Sequence, residues 1–475
     1  MTPQQRIALV RRLHDSNKQI VLATTGGGSL AISDLLTEPG ATKTLLEAHV
    51  PYSFEALTRF LGQAPQQACS TQTARCLAMA CFKRGQQAAE NAARIHVIPV
   101  DDDAAAARSN ETGFRRHFAG LDNVIDLFGS AAQEHSISYR QKKWCKQLIG
   151  IGCTASLVSN RPKKGEHRFH IAVQSHDSTS VFSLVLKKGA RTRQEEERLV
   201  ADCLLKYLAE AAGIPFEFSI PLIEEERFTS EQTVVDDPWI ELLFGDAAAV
   251  LSVDGKPIFT KKNADVGAPI LSEQRPFSPE VEYMHNIFAG SFAPMHQGHV
   301  RMIELAQKRL SGKITLEISI CNVDKAPLDY LEIEHRLRQI EQMIPGQAVW
   351  LTRTTRFIDK SLLFRGSTFL IGADTLKRIG DLKYYASNHS ILMEVLRIIT
   401  YCGCRFLVFA RPVHGTVEKL QTMVIPDILR TLCEEVDEEE FCEDISSSAI
   451  REGLENKSFS SVQQTVGKLG KLVEQ

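Results

Sequence analysis

The 475-residue chain has 43% hydrophobic and 24% charged residues and a formal net charge of −3; this is the balance of a globular protein and gives no general polyanion-binding surface. The length points to two domains rather than one core. No apolar run is long enough for a membrane span, the opening MTPQQRIALVRRLHDSNKQ has no signal-peptide core, and the 11 cysteines show neither a CxxC pair nor zinc spacing. The expectation is a cytoplasmic protein with reduced, mostly buried thiols and no metal centre, membrane or nucleic-acid partner.

The opening segment reads as an amphipathic helix with Ile7, Val10 and Leu13 on one side. QIVLATT reads as a buried strand running into the three glycines of ATTGGGSLAI. QTARCLAMACFKRGQQAA follows as an Ala-rich helix, and DDDAAAARSNETG as a polar surface insertion. KQLIGIGCTASLV reads as a buried strand and its turn, and RFHIAVQS with SVFSLVLKK as a strand pair. In RQEEERLVADCLLKYLAEAAG, Leu199, Cys203, Leu204 and Leu208 share one helical face with the glutamates opposite, and Gly213 is the expected C-terminal stop.

From Pro215 to about His285 prolines punctuate a weaker pattern, with a hairpin signal at Asp254-Gly255. This is expected to be a connecting region with some β structure. HNIFAG then opens a new series: helix, KITLEISI, the helix IEHRLRQIEQMI, AVWLT, STFLIGAD, helix, CRFLVFAR and a closing helix. Strands alternating with helices argue for a parallel sheet with crossover connections.

The strongest chemical signal is GSFAPMHQGH, Gly290 to His299, between the strand HNIFAG and the helix VRMIELAQKRL. Free N–H groups at a helix start bind anions, and Gly290 admits a phosphate close to the backbone. His296 and His299, three apart, can point into one cavity and stabilise charge on a transferring phosphorus. Far downstream, ISSSAIR offers Ser446, Ser447 and Ser448 at a helix start, with Arg451 a turn further on.

GSFxPxHxGH near the start of an α/β domain and ISSSxIR near its end resemble the HxGH nucleotidyltransferase superfamily. The intervening residues are most similar to the nicotinate/nicotinamide mononucleotide adenylyltransferases, in NVDKAPLDYLEIEHRLRQIE, LIGADTLKRI and LVFARPV, over residues 284 to 460. The resemblance implies a Rossmann-like domain at 285–475 that transfers AMP from ATP, with Mg²⁺, to a pyridine mononucleotide. It implies catalytic roles for His296, His299 and Arg451. Substrate contacts are implied for Gly290, Ser291, Phe292, Lys325, Arg336, Gly372, Asp374, Arg411, Ile445, Ser446, Ser447 and Ser448. The family's tryptophan after G-A-D is absent, and Tyr384 or Tyr385 stands nearby. A cytidylyl or phosphopantetheine-type transfer, or a regulator that binds nucleotide without turnover, are the alternatives.

Residues 1–213 resemble the CinA C-terminal family, which includes nicotinamide mononucleotide deamidases, through ATTGGGSLAI, HVPYSFEAL and GIGCTASLVSN. The alignment puts Thr25 at the catalytic serine, retains Tyr52, and puts Leu57 at the lysine that serves as base; Ser156 and Leu157 replace a Gly-Pro turn. A hydroxyl without a base is a weak nucleophile. The expectation is a degenerate, non-catalytic domain joined through 214–284, the alternative being a bifunctional deamidase and adenylyltransferase. Members of both families self-associate, which implies a homo-oligomer.

Overall fold

The computed structural model describes residues 1–95, 144–160, 164–263, 266, 282–322, 326–409, 412–413, 416–417, 419–437 and 440–441. The fold is mixed α/β, with two large sheets that both contain parallel strands. Among the described residues, one compact unit takes those up to Asp246 and those within Ile320–Glu334; the other takes Ala247–Ser319 and those from His335 onward. The polar insertion at DDDAAAARSNETG lies outside the described residues. No described helix is long and apolar enough to cross a membrane.

The first unit runs α1 (Pro3–His14), β1 (Gln19–Thr25), α2 (Leu30–Thr37), β2 (Leu45–His49), α3 (Phe54–Leu61), α4 (Thr71–Ile95), β3 (Leu148–Ser156), β4 (His167–Gln174), β5 (Ser178–Leu186), α5 (Arg193–Ala211), β6 (Arg227–Val234) and α6 (Asp237–Phe244). Its sheet has the order β2-β1-β3-β4-β5-β6, with β1 parallel to β2 and β3 and the remaining pairs antiparallel. A reciprocal capping box between Thr2 and Gln5 starts α1. Its buried face is Leu9, Val10 and Leu13, while Ile7 is 38% exposed, so the helix is rotated from the face expected of it.

Gly150 and Gly152 lie inside β3 rather than in a turn. A Cβ on either would meet the α4 backbone at 2.3–2.5 Å, at Ala78 and Phe82 or at Ala74 and Ala78. Glycine here lets the helix lie directly on the strand. α5 ends as expected: Gly213 has φ +71°, and the Ile214 N–H reaches the Ala209 carbonyl at 2.8 Å.

The second unit contains β7 (Ala247–Val253), β8 (Lys256–Lys262), β9 (Asn286–Ala289), α7 (Gln297–Arg309), β10 (Ile314–Ser319), β11 (Val349–Thr352), α9 (Phe357–Leu363), β12 (Thr368–Gly372), α10 (Ala373–Gly380), α11 (His389–Tyr401), β13 (Arg405–Phe409), the short pair β14 (Pro412–Val413) and β15 (Thr416–Val417), α12 (Asp427–Thr431) and β16 (Cys433–Val436). Helix α8 (Tyr330–Met343) falls in the chain between β10 and β11. The sheet order is β16-β13-β12-β9-β10-β11-β7-β8. The six strands from β16 to β11 are parallel, and β7 and β8 are added antiparallel. The 214–284 stretch therefore supplies strands to both sheets: β6 to the first, β7 and β8 to the second. The β7–β8 turn has positive φ at Asp254 and Gly255, which suits a hairpin.

Candidate active site

In the second sheet the chain runs outward from β9 through β10 to β11, then returns to the other side of β9 with β12, β13 and β16. The order reverses between β9 and β12. Open α/β sheets bind ligands at such a switch point, beyond the carboxyl ends of the strands. Thr368 pairs with Asn286 and Leu370 with Phe288, so continuing the register brings Gly372 level with Gly290. Two of the expected site segments, GSFAPMHQGH and LIGAD, thus meet at the edge where the topology makes a crevice.

Local sequence explains the loop after β9. The Gly290 N–H donates to the Glu317 carbonyl of β10 at 3.0 Å. A Cβ on Gly290 would lie 2.8–3.1 Å from the Phe292 ring, so the ring covers the glycine backbone. Phe292 is 1% exposed and meets Phe288 and His299 edge-on, each with ring centroids 5.1 Å away. Its side chain is therefore a wedge that shapes the loop from within. Ser291 beside it is exposed.

His296 is extended at the N-cap of α7, and His299 sits in the first turn. The rings stack with centroids 3.7 Å apart and planes at 24°. The His296 N–H donates to His299 Nδ1 at 3.3 Å. A neutral ring that accepts at Nδ1 carries its proton on Nε2. Both histidines are half-buried, and the pair is brought together as the spacing implies.

Gly372 caps α10, and a Cβ there would meet nothing within 4 Å. Asp374 lies in the first turn of α10, half-buried. Arg336 reaches the loop itself: its Nη1 donates to the Ser291 carbonyl at 2.9 Å. The two tyrosines differ. Tyr385 donates its hydroxyl to the Ile379 carbonyl at 2.8 Å, and burial pushes its pKa up to about 12. Tyr384 is 52% exposed. Lys325, Arg411, Ile445, Ser446, Ser447, Ser448 and Arg451 lie outside the described residues.

A buried ionic cluster next to the loop was not legible beforehand. Lys360 on α9 places Nζ 2.5 Å from Glu317 Oε1 on β10, and Thr352 Oγ1 donates to the same oxygen at 2.5 Å. Lys360 is 6% and Glu317 1% exposed. A charged residue at an inward position of KITLEISI was the one available signal; α9 is too short for its periodicity to show.

The glycine loop of the first unit is closed from within. Glu197 Oε1 accepts from the Gly28 N–H at 2.9 Å, the Leu30 N–H at 3.3 Å and the Ser29 hydroxyl at 3.0 Å. Glu196 is fully buried, accepting from the Val158 N–H at 2.7 Å and lying 2.9 Å from His167 Nδ1. Arg193 donates to the carbonyls of Gly26 at 2.9 Å and Val158 at 3.3 Å. The α5 glutamates 196 and 197 therefore do not lie on a solvent face, as periodicity implied. They reach back to the loops after β1 and β3, where orphan N–H groups need acceptors. Thr25 is 7% exposed, Tyr52 is 69% exposed, and Leu57 is buried in the core.

The second unit thus presents an α/β switch-point site with a strand–glycine loop–helix and a histidine pair, the construction of a nucleotide-binding transferase domain. Residues 287–453 match a family model described as cytidylyltransferase-like. The C-terminal region carries a domain of the HxGH nucleotidyltransferase superfamily. A curated relative, a putative nicotinamide mononucleotide adenylyltransferase of Schizosaccharomyces pombe, is 29% identical over 160 residues; the match covers 30% of this chain and 62% of the relative's length. Among solved structures, the competence/damage inducible protein CihA from Agrobacterium tumefaciens aligns over 44% of this chain and 98% of its own, at 13% identity and a TM-score of 0.28.

Proposed function

We propose that the second unit transfers AMP from ATP, taken as its magnesium complex, to the 5′-phosphate of a pyridine mononucleotide, releasing pyrophosphate in a step of NAD biosynthesis. The observation that carries this reading is the stacked His296–His299 pair at the start of α7, at the β9/β12 switch point. The mononucleotide phosphate attacks the α-phosphorus in line, so no side-chain nucleophile is required. His299, accepting at Nδ1, offers Nε2–H as a donor to a phosphate oxygen, and His296 beside it adds a second. Asp374 at the neighbouring helix start contacts a ribose or the mononucleotide in this reading. Ser447, Ser448 and Arg451 hold the β- and γ-phosphates, as the resemblance implies. The Schizosaccharomyces pombe relative, described as a putative nicotinamide mononucleotide adenylyltransferase, supports this chemistry.

The first unit is proposed as non-catalytic. Glu197 fills the turn where an anionic group would be held, and Leu57 is buried where the resemblance calls for a base. The assembled protein is proposed to be a cytoplasmic homo-oligomer, which light scattering of the full chain reads directly.

The test is pyrophosphate release from ATP or CTP with nicotinamide mononucleotide, nicotinate mononucleotide or phosphopantetheine as acceptor. Release with ATP and either mononucleotide is expected; none with both sinks the substrate assignment. Thr25→Ala is expected to leave that rate within twofold. Ammonia release from nicotinamide mononucleotide that vanishes in Thr25→Ala establishes the bifunctional alternative instead.

A further inference from the structure

The buried Lys360–Glu317 pair stands one hydrogen bond from the histidine loop. Lys360 Nζ contacts Glu317 Oε1 at 2.5 Å and also donates to the Thr354 carbonyl at 3.0 Å. Thr352 Oγ1 donates to the same carboxylate oxygen and is 2.8 Å from Thr354 Oγ1. The backbone carbonyl of that same Glu317 accepts the Gly290 N–H. Glu317 is also level with Ala289, the residue before the loop. One residue therefore joins, through its side chain, the end of β11 and the middle of α9, and through its main chain, the first residue of the loop.

Removing two charges from water is expensive, and a well-packed apolar pair would serve stability as well or better. Stability alone thus gives a weak reason for an ion pair here. What the pair adds is direction: a fixed Nζ-to-carboxylate geometry with hydrogen bonds to β11 and the following turn sets where β10 ends. Sites are held to within a fraction of an ångström by such supporting contacts.

We infer that Lys360 and Glu317 are positioning residues for the histidine loop, holding Gly290 through the Glu317 carbonyl so that His296 and His299 keep their transition-state geometry. The inference rests on the adenylyl-transfer reading of that loop.

The test compares the full-length wild type with Glu317→Leu/Lys360→Met, which removes both charges together and leaves no unpaired one. Three quantities are read: thermal midpoint, kcat with KM for ATP, and the side-chain NMR resonances of His296 and His299, assigned by single His→Gln replacements. The expected result is a midpoint close to wild type, kcat lowered at least tenfold with KM for ATP within threefold, and both ring resonances shifted while His14 stays in place. Unmoved ring resonances overturn the inference, as does an unchanged kcat. If the double variant does not fold, Thr352→Val removes one donor to Glu317 with little change of shape, and the same shifts are expected in smaller size. If the wild type transfers nothing to any acceptor, the functional reading fails by itself, and the histidine resonances alone decide the positioning role.

Discussion

Gly290→Ala is a one-carbon test of the loop. The glycine's φ lies outside the left-handed region, so alanine meets no backbone penalty, and the whole effect comes from the Cβ. That atom would sit 2.8 Å from Phe292 Cζ and 3.0 and 3.1 Å from the adjacent ring carbons. Carbon contacts are comfortable from about 3.5 Å, so the ring must retreat by roughly 0.7 Å. It has little room: Phe292 is 1% exposed, with Phe288 and His299 each at 5.1 Å. Overpacking of this kind costs about 1–3 kcal/mol. Because the ring pushes on His299, the displacement reaches the proposed phosphate donors, where a misplacement near 1 Å lowers rates by roughly 10²-fold. Initial rates of pyrophosphate release, read with a urea midpoint, separate the two effects. Phe292→Leu in the alanine background should recover stability, because a smaller side chain leaves space for the Cβ. A Gly290→Ala protein with wild-type midpoint and a rate within threefold of wild type would refute the claim that Phe292 fixes the loop.

His299→Ala or His296→Ala is expected to lower kcat by roughly 10²–10⁴-fold, the range for a lost transition-state charge contact; less than tenfold in a steady-state assay ends the proposed role. Glu197→Ala should destabilise the first unit by about 2 kcal/mol, since it strips the acceptor from the Gly28 and Leu30 N–H groups, whereas Glu197→Gln, which keeps an acceptor, should cost less. Equal urea midpoints for both variants count against the closed turn. Burial, and then the Arg168 charge, hold the His170 pKa down at about 4 from 6.5. The unfolded chain takes up that proton first, so this contribution is intact above pH 6.5 and is lost as pH falls from 6.5 toward 4, by about 3 kcal/mol in all. Denaturation at stepped pH should show the slope, and His170→Gln should flatten it.

The sequence carried the strands well because they are buried on both faces and read as unbroken apolar runs: QIVLATT became β1, KITLEISI β10 and CRFLVFAR β13. It also carried the histidine loop, since strand, glycine turn and helix start are consecutive in the chain. What it hid were partners set by tertiary packing. α9 has seven residues, fewer than two turns, so FIDKSLL showed no period and Lys360 read as one more charge. Glu196 and Glu197 looked like a solvated stripe because periodicity records which face is apolar. It does not record that the N-terminal part of a helix runs beneath loops whose N–H groups need acceptors. The proline-marked 214–284 stretch read as a connector with some β structure and a hairpin at Asp254-Gly255, which β7 and β8 form, but the edge strand in it did not show, because such a strand carries little apolar pattern. β6, mostly exposed, is the clearest case.

The chain builds strand–glycine–helix turns at two switch points, and charge separates them. In the first sheet the order reverses between β1 and β3, so the crevice lies where Gly26–Gly28 meets the Leu157–Val158 turn. The chain places carboxylates there: Glu197 on the Gly28 and Leu30 N–H groups, Glu196 on the Val158 N–H. An incoming phosphate or carboxylate would have to displace one negative charge beside another, while Arg193, 3.7 Å from Glu197 Oε2, gives its hydrogen bonds to the carbonyls of Gly26 and Val158. In the second sheet the corresponding turn brings two imidazoles to the helix start. The same strand–glycine–helix order is thus sealed by carboxylates in one unit and carries two imidazoles in the other. In the proposed reading, clearing Glu197 by mutation would not restore nucleophilic chemistry in the first, because Leu57, at the position the resemblance gives to the base, is buried in the core. On this argument the proposed phosphate chemistry of the chain belongs to the second turn.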